Sequence, residues 1–147
     1  MRPLSNGAER YYVMLYVTDT HPLILFSTGK TQKLGKNARR VFRDAEQGKS
    51  RIVIPVTVLE EIMRLSEEGA IRLAKPFPEL VADYQHEPSP FFIQDYTLDV
   101  LLAAAQFSTI RDPFDRVIVA TAQVLDYPLI TSDHVFHEGR FVPMVWD

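Results

Sequence analysis

The sequence predicts a three-layer α/β/α sandwich around a central, mainly parallel sheet. Short, continuous apolar runs read as strands buried on both faces. These runs alternate with segments whose apolar residues recur at helical spacing. The 147 residues have one composition throughout, which suits a single domain. Strands separated by helices require crossover connections, and hence parallel pairing with helices on both faces.

Residues 1–10, MRPLSNGAER, read as a loosely attached N-terminal extension, with the folded domain spanning 11–147. Tyr11 to Val17, YYVMLYV, is the central strand. Ala38, Val41, Phe42 and Ala45 mark the buried face of a helix whose other face is basic. Arg51 to Val56, RIVIPV, forms a second strand with Pro55 at its end. Thr57 opens a helix to about Glu68, with Thr57 and Glu60 as a capping box and Gly69 as the stop. The proline-rich stretches KPFPEL at Lys75 and HEPSPF at His86 read as loops. FFI at Phe91 is a short strand, and Thr97 to Phe107 a helix. Asp112 caps a helix that begins with Pro113 and runs to about Leu125. PLIT, Pro128 to Thr131, and FVPMVW, Phe141 to Trp146, close the chain as strands. Phe91, Phe92, Tyr96 and Trp146 are assigned to the core, the first three with a partner-binding face as the alternative.

Composition excludes several classes of function. With 46% hydrophobic and 24% charged residues, the chain has the balance of a globular domain, not a disordered one. It contains no cysteine, so disulfides, thiolate-bound zinc, iron–sulfur clusters and thiol catalysis are out. The longest apolar run is far short of a membrane helix, and the start lacks the apolar stretch of a secretory signal. The expectation is a cytoplasmic protein with no membrane partner. A net charge of −3 disfavours a general polyanion binder, yet eight of the sixteen basic residues fall between Lys30 and Arg51.

In open parallel sheets, ligands bind at the carboxyl ends of the strands. Asp19 follows the first strand, Glu60 and Glu61 follow the second, and Asp133 follows PLIT. The helix before that last strand opens with Asp112 and Asp115. Acids from distant segments thus converge on one edge, where they repel unless a cation sits among them. Oxygen-only ligands favour Mg²⁺ or Mn²⁺, which suit chemistry on phosphate esters. Each acid also has a purely structural role open to it. Asp19 could form an Asx turn, Asp112 and Asp133 cap helices, Asp115 complement a helix dipole, and Glu60 close its capping box.

The strings YVTDTHPLILF, VTVLEEIMRLSEEGAIRL, RDPFDRVIVATAQVL and PLITSDHVF, in this order, resemble the PIN domain. The nearest in look are VapC-type toxins of toxin–antitoxin pairs, and the resemblance spans about residues 11–146. It implies a PIN-like fold and a metal-dependent ribonuclease. Its catalytic and metal-binding acids fall on Asp19, Glu61, Asp115 and Asp133, with Asp112 and Thr131 in an outer shell. It further implies Mg²⁺ or Mn²⁺ as cofactor, water as the nucleophile, and 5′-phosphate and 3′-hydroxyl products. As partners it implies an RNA substrate, a cognate antitoxin and a second copy of the chain in a homodimer. Pro22, where a small residue is usual, and the longer N-terminus are the departures, and neither touches the four acids.

A nuclease site made of carboxylates needs cations nearby to hold a phosphate backbone. Lys36, Arg39, Arg40 and Arg43 share one helix and are candidates, against the plainer reading of a solvated helix face. Arg116, beside Asp115, could contact phosphate or pair with an acid. His134 and His137 stand one helical turn apart, but without further His or Cys ligands they are a poor zinc site, and His21 reads as orienting or packing. Two rival functions remain. A phosphoacceptor receiver domain needs a late lysine, and none follows Lys75. A PIN-fold RNA- or protein-binding module without turnover would bind metal yet cut no RNA.

Overall fold

The computed structural model describes residues 2–5 and 10–147. Strands β1 (Arg2–Ser5) and β2 (Arg10–Thr18) are followed by helices α1 (Thr20–Ser27) and α2 (Lys36–Glu46). Next come β3 (Ser50–Pro55), α3 (Val56–Glu67), α4 (Phe77–Gln85) and β4 (Phe91–Gln94). The chain ends with α5 (Leu98–Ala104), α6 (Pro113–Leu125), β5 (Leu129–Ile130), α7 (His134–Gly139) and β6 (Met144–Val145). The sheet order is β4-β3-β2-β5-β6, parallel throughout, with β1 antiparallel to the start of β2.

The parallel α/β expectation is borne out, and the register shows how the layers form. Tyr16, Ile52 and Phe91 align across three strands on one face, and Val17, Val53 and Phe92 on the other. On the first face Phe26 of α1 stacks on Phe42 of α2, while Phe91 meets both Phe26 and Tyr84 of α4 edge to face. On the second, α6 lies against β2 with α5 packed on it, burying Val117, Ile118, Val119 and Ala122. The four apolar positions expected to bury α2 are all buried.

Several local expectations need correction. Arg2–Ser5, part of the segment read as a loose extension, pairs antiparallel with Arg10–Val13; residues 6–9 lie outside the described residues. Helix α1 was not expected, because THPLILFS shows no helical periodicity; Asp19 begins it, and Thr20, Pro22, Leu23 and Leu25 are buried. Helix α4 starts inside the stretch read as a loop, since prolines in a first helical turn lose no hydrogen bond that the turn would have made. The Thr57–Glu60 capping box does not form. Helix α3 begins one residue earlier, Pro55 is its cap residue, and Thr57 is buried within the first turn. The last strand is shorter than FVPMVW, reduced to Met144–Val145. Phe91 is core, but Phe92 and Tyr96 are 49% and 48% exposed.

Candidate active site

Asp19 leaves the carboxyl end of β2 in extended conformation and caps α1. One carboxylate oxygen accepts from the Thr20 N–H at 2.8 Å, and the other from the Thr131 hydroxyl at 2.8 Å. The Asp19 N–H donates to the Ile130 carbonyl, which ties the ends of β2 and β5 together at this point. Thr131 is fully buried, and its hydroxyl oxygen also accepts from the Asp133 N–H at 3.0 Å. Asp133 in turn caps α7, accepting from Val135 N–H at 2.8 Å.

Glu61 projects from the second turn of α3 and accepts a hydrogen bond from the Thr20 hydroxyl. Its neighbour Glu60 is exposed and Glu61 half-buried, so the structure separates the two acids in favour of Glu61. Asp112 caps α6 through the Phe114 N–H at 2.8 Å, and Asp115 lies in the first turn of that helix. The structural roles weighed for these acids are therefore real for Asp19, Asp112 and Asp133. Each cap occupies only part of a carboxylate, which has about four acceptor sites.

Electrostatics shows the acids crowding one another. Burial pushes the Asp19 carboxyl up to about 6, against hydrogen bonds from Thr131 and Thr20 that lower it, and Glu61 and Asp133 raise it further. Asp115 is pushed up to about 7 by burial and then by Asp19, Asp112, Asp133 and Glu61. Every charge acting on these two carboxyls is negative. The sequence-predicted acids thus form one electrostatic group at the carboxyl edge of the sheet.

What such a group lacks is a cation. The donors are all carboxylate and hydroxyl oxygens, a set suited to a hard divalent ion such as Mg²⁺ or Mn²⁺. A bound ion would reverse the repulsion that raises Asp19 and Asp115, so the residues present fit the group. They are not pre-closed around it. Among the described residues, no three His, Asp or Glu side chains are already gathered as a metal's ligand set.

The predicted cations are placed less favourably. The Lys36 N–H that opens α2 donates to Asp147 Oδ1, and the next two, on Asn37 and Ala38, donate to the Trp146 carbonyl just beyond β6, which sets Lys36 at the carboxyl edge. The other end of α2 lies by the amino ends of the strands, so Arg40 and Arg43 trail away from the acids. Arg39 is committed to the carbonyls of Thr31, Gln32 and Leu34 at 3.1–3.2 Å. Arg116 pairs with no acid among the described residues. Its guanidinium holds the Ile110 and Ser108 carbonyls.

Two contributors escaped the sequence reading. Thr20, in the TDT string itself, bridges Asp19 and Glu61, and only the start of α1 reveals it. His137 is the second: its Nε2 meets the Thr131 carbonyl at 2.7 Å and ties α7 back to the residue that bonds Asp19. A groove of about 690 Å³ lies elsewhere, at the amino ends of the strands, between Val13, Leu15, Val53, Phe92 and Leu125. It contains no cluster of acids and plays no part in this site.

Comparison with known proteins agrees with this fold. No curated protein matches the chain in sequence. Among solved structures, a chain of VapBC2 from Rickettsia felis bound to a DNA fragment from their promoter superposes with a TM-score of 0.64 at 16% identity. That match covers 91% of this chain and 100% of the other. A chain of DNA-bound VapBC from Salmonella typhimurium gives 0.60 at 17% identity, covering 90% and 98%. A chain of a toxin–antitoxin complex from Klebsiella pneumoniae gives 0.58 at 20%, covering 86% and 94%. These likenesses establish a shared fold. The family model described as PIN domain matches residues 16–142, nearly the whole described chain and all the acids above, and the chain belongs to the PIN domain family.

Proposed function

We propose that this chain is a metal-dependent endoribonuclease and the toxin of a type II toxin–antitoxin pair. The observation that carries the reading is the crowding of Asp19, Glu61, Asp115 and Asp133, with Asp112, at one sheet edge with no cation among the charges acting on Asp19 or Asp115. Asp19, Glu61, Asp115 and Asp133 are the residues that would hold Mg²⁺ or Mn²⁺. Bound there, the ion supplies an activated water and stabilises charge on the phosphate oxygens during phosphodiester hydrolysis.

The chain's own residues prepare that chemistry. The Thr131 hydroxyl donates to Asp19 and favours its ionised, ligating form, and the Thr20 hydroxyl donates to Glu61 and orients it. Helix caps engage one oxygen each of Asp112 and Asp133, while both oxygens of Asp19 accept a hydrogen bond, from the Thr20 N–H and the Thr131 hydroxyl, and keep further acceptor sites. His137 anchors the backbone that carries Thr131. Outer-shell partners of this kind orient ligands and tune their basicity. Lys36 is the cation of α2 best placed to meet a backbone phosphate, since it stands at the same edge.

The partners of this reading are an RNA substrate, a cognate antitoxin that blocks the site, and a second copy of the chain; the likeness to chains of VapBC complexes supports the antitoxin. Among the described residues no helix is long and apolar enough to cross a membrane. The test is cleavage of total RNA by purified protein with Mn²⁺ or Mg²⁺, with EDTA, and with Asp19→Asn prepared in parallel. Discrete cuts lost with EDTA and with the variant are expected. Metal binding without cleavage of any RNA would favour the binding-module reading instead.

A further inference from the structure

Arg64 lies three residues after Glu61, on the same side of α3 one turn on. Its guanidinium carbon sits 5.1 Å from the centre of the Phe114 ring. Phe114 is the residue immediately before Asp115, and its N–H is the one that Asp112 caps. Arg64 therefore spans from the helix bearing Glu61 to the helix turn bearing Asp112 and Asp115, at the rim of the acidic group.

The donors of this guanidinium are unused. Among the described residues the Arg64 side chain makes no ion pair and no hydrogen bond, whereas the Arg116 and Arg39 side chains are both committed to backbone carbonyls. It is exposed, and no effect of Arg64 appears among the charges acting on Asp115. Stacking on an aromatic ring engages the face of a guanidinium and leaves its edge N–H groups pointing outward. An arginine so held has lost part of its rotamer freedom before any ligand arrives. The edge fork matches the oxygens of a phosphate in two-point geometry.

We propose that Arg64 is a positioning residue which grips a backbone phosphate of the RNA strand beside the carboxylate site, with Phe114 presetting its guanidinium. This rests on the ribonuclease reading above and adds to it the cation that the strand meets on the α3–α6 side. The acids repel a polyanion, and Lys36 stands at the opposite end of the site's sheet edge, beyond β6. A strand crossing the site would then be held on both sides of the scissile bond.

The test is steady-state cleavage of a single-stranded RNA oligonucleotide in Mn²⁺ across a range of KCl concentrations. Arg64→Ala is expected to raise KM about tenfold and leave kcat within about twofold. The slope of log(1/KM) against log[salt] should shrink by about 0.7, the loss of one single-strand phosphate contact. Arg64→Lys should restore most of the salt slope and part of KM. Phe114→Leu should raise KM by a few-fold with the slope intact, because the charge remains. If Arg64→Ala proves unfolded by thermal melting, the last two variants carry the test, and normal KM in both overturns the proposal. Unchanged KM and slope in a folded Arg64→Ala overturn it while wild-type cleavage leaves the ribonuclease reading standing. A fall in kcat alone overturns it too, since that marks support of the acids. Wild-type protein that neither binds nor cuts RNA overturns both.

Discussion

Thr20 and Thr131 each give a hydroxyl hydrogen to a carboxylate of the site. Thr131→Val removes one of the two donors that lower Asp19 and leaves the Thr20 N–H alone against burial and the negative neighbours. We expect Mn²⁺ affinity to fall by roughly 10–100-fold in Thr131→Val and Thr20→Val, as for other outer-shell losses, with Thr131→Ser close to wild type; calorimetric titration checks this. The raised carboxyls also give the metal-free protein a pH signature. Asp19 and Asp115 ionise near 6 and 7 in the fold, against 3.8 for an ordinary aspartate. The unfolded chain therefore releases its protons first as pH rises. Stability from these two groups is fully present below about pH 4 and is lost through about pH 7. Asp115→Asn should abolish cleavage and yet stabilise the metal-free protein at pH 8, by on the order of 1–2 kcal/mol after solvent screening. Urea denaturation at pH 5 and pH 8 reads both the sign and the window.

At the level of elements, the site is assembled from beginnings of helices. Asp19, Asp112 and Asp133 are the cap residues of α1, α6 and α7, so the residues that start these helices also supply the acids. This is why the structural and chemical readings of each aspartate need not compete. The start of α2 uses a different device, a carbonyl from the chain's other end. A methyl group on Gly35 would come within 2.4 Å of the Trp146 carbonyl oxygen. Gly35→Ala is expected to displace the 146–147 segment and cost about 1–3 kcal/mol in urea denaturation, since backbone on both sides leaves little room to adjust. Because that contact sets Lys36 at the site edge, the variant should also weaken RNA binding at low salt more than at high salt.

For the molecule as a whole, the sequence revealed what depends on order and periodicity and concealed what depends on rotamers. The alternating strands and helices were legible because parallel sheets bury continuous apolar runs, and the acids were legible because strand ends and helix starts are marked by Asp, Thr and Pro. Helix α1 was not, since an apolar stretch without period carries no helical signature until its surroundings are known. Phe92 and Tyr96 looked like core because aromatic residues near a strand usually are, yet the second face of β4 is left open beside the groove. The fate of the arginines was invisible for the same reason: whether Arg39, Arg116 or Arg64 keeps free donors depends on carbonyls brought near only by folding. Ion binding links this site to global stability. At 100 times its dissociation constant, Mn²⁺ should add about 2.7 kcal/mol, raising Tm by roughly 5–10 °C at pH 7.5 and by less at pH 5.5, where Asp19 and Asp115 hold their protons.

The central claim is that acids from four separate segments act as one divalent-cation site. Calorimetric titration of Mn²⁺ into wild-type protein and into Asp19→Asn, Glu61→Gln, Asp115→Asn and Asp133→Asn tests it most directly. Saturable binding is expected for the wild type, with proton release at pH 6.5 that disappears at pH 8.5, and affinity lowered at least tenfold in each variant. Absence of saturable binding in the wild type, or wild-type affinity in all four variants, would contradict it.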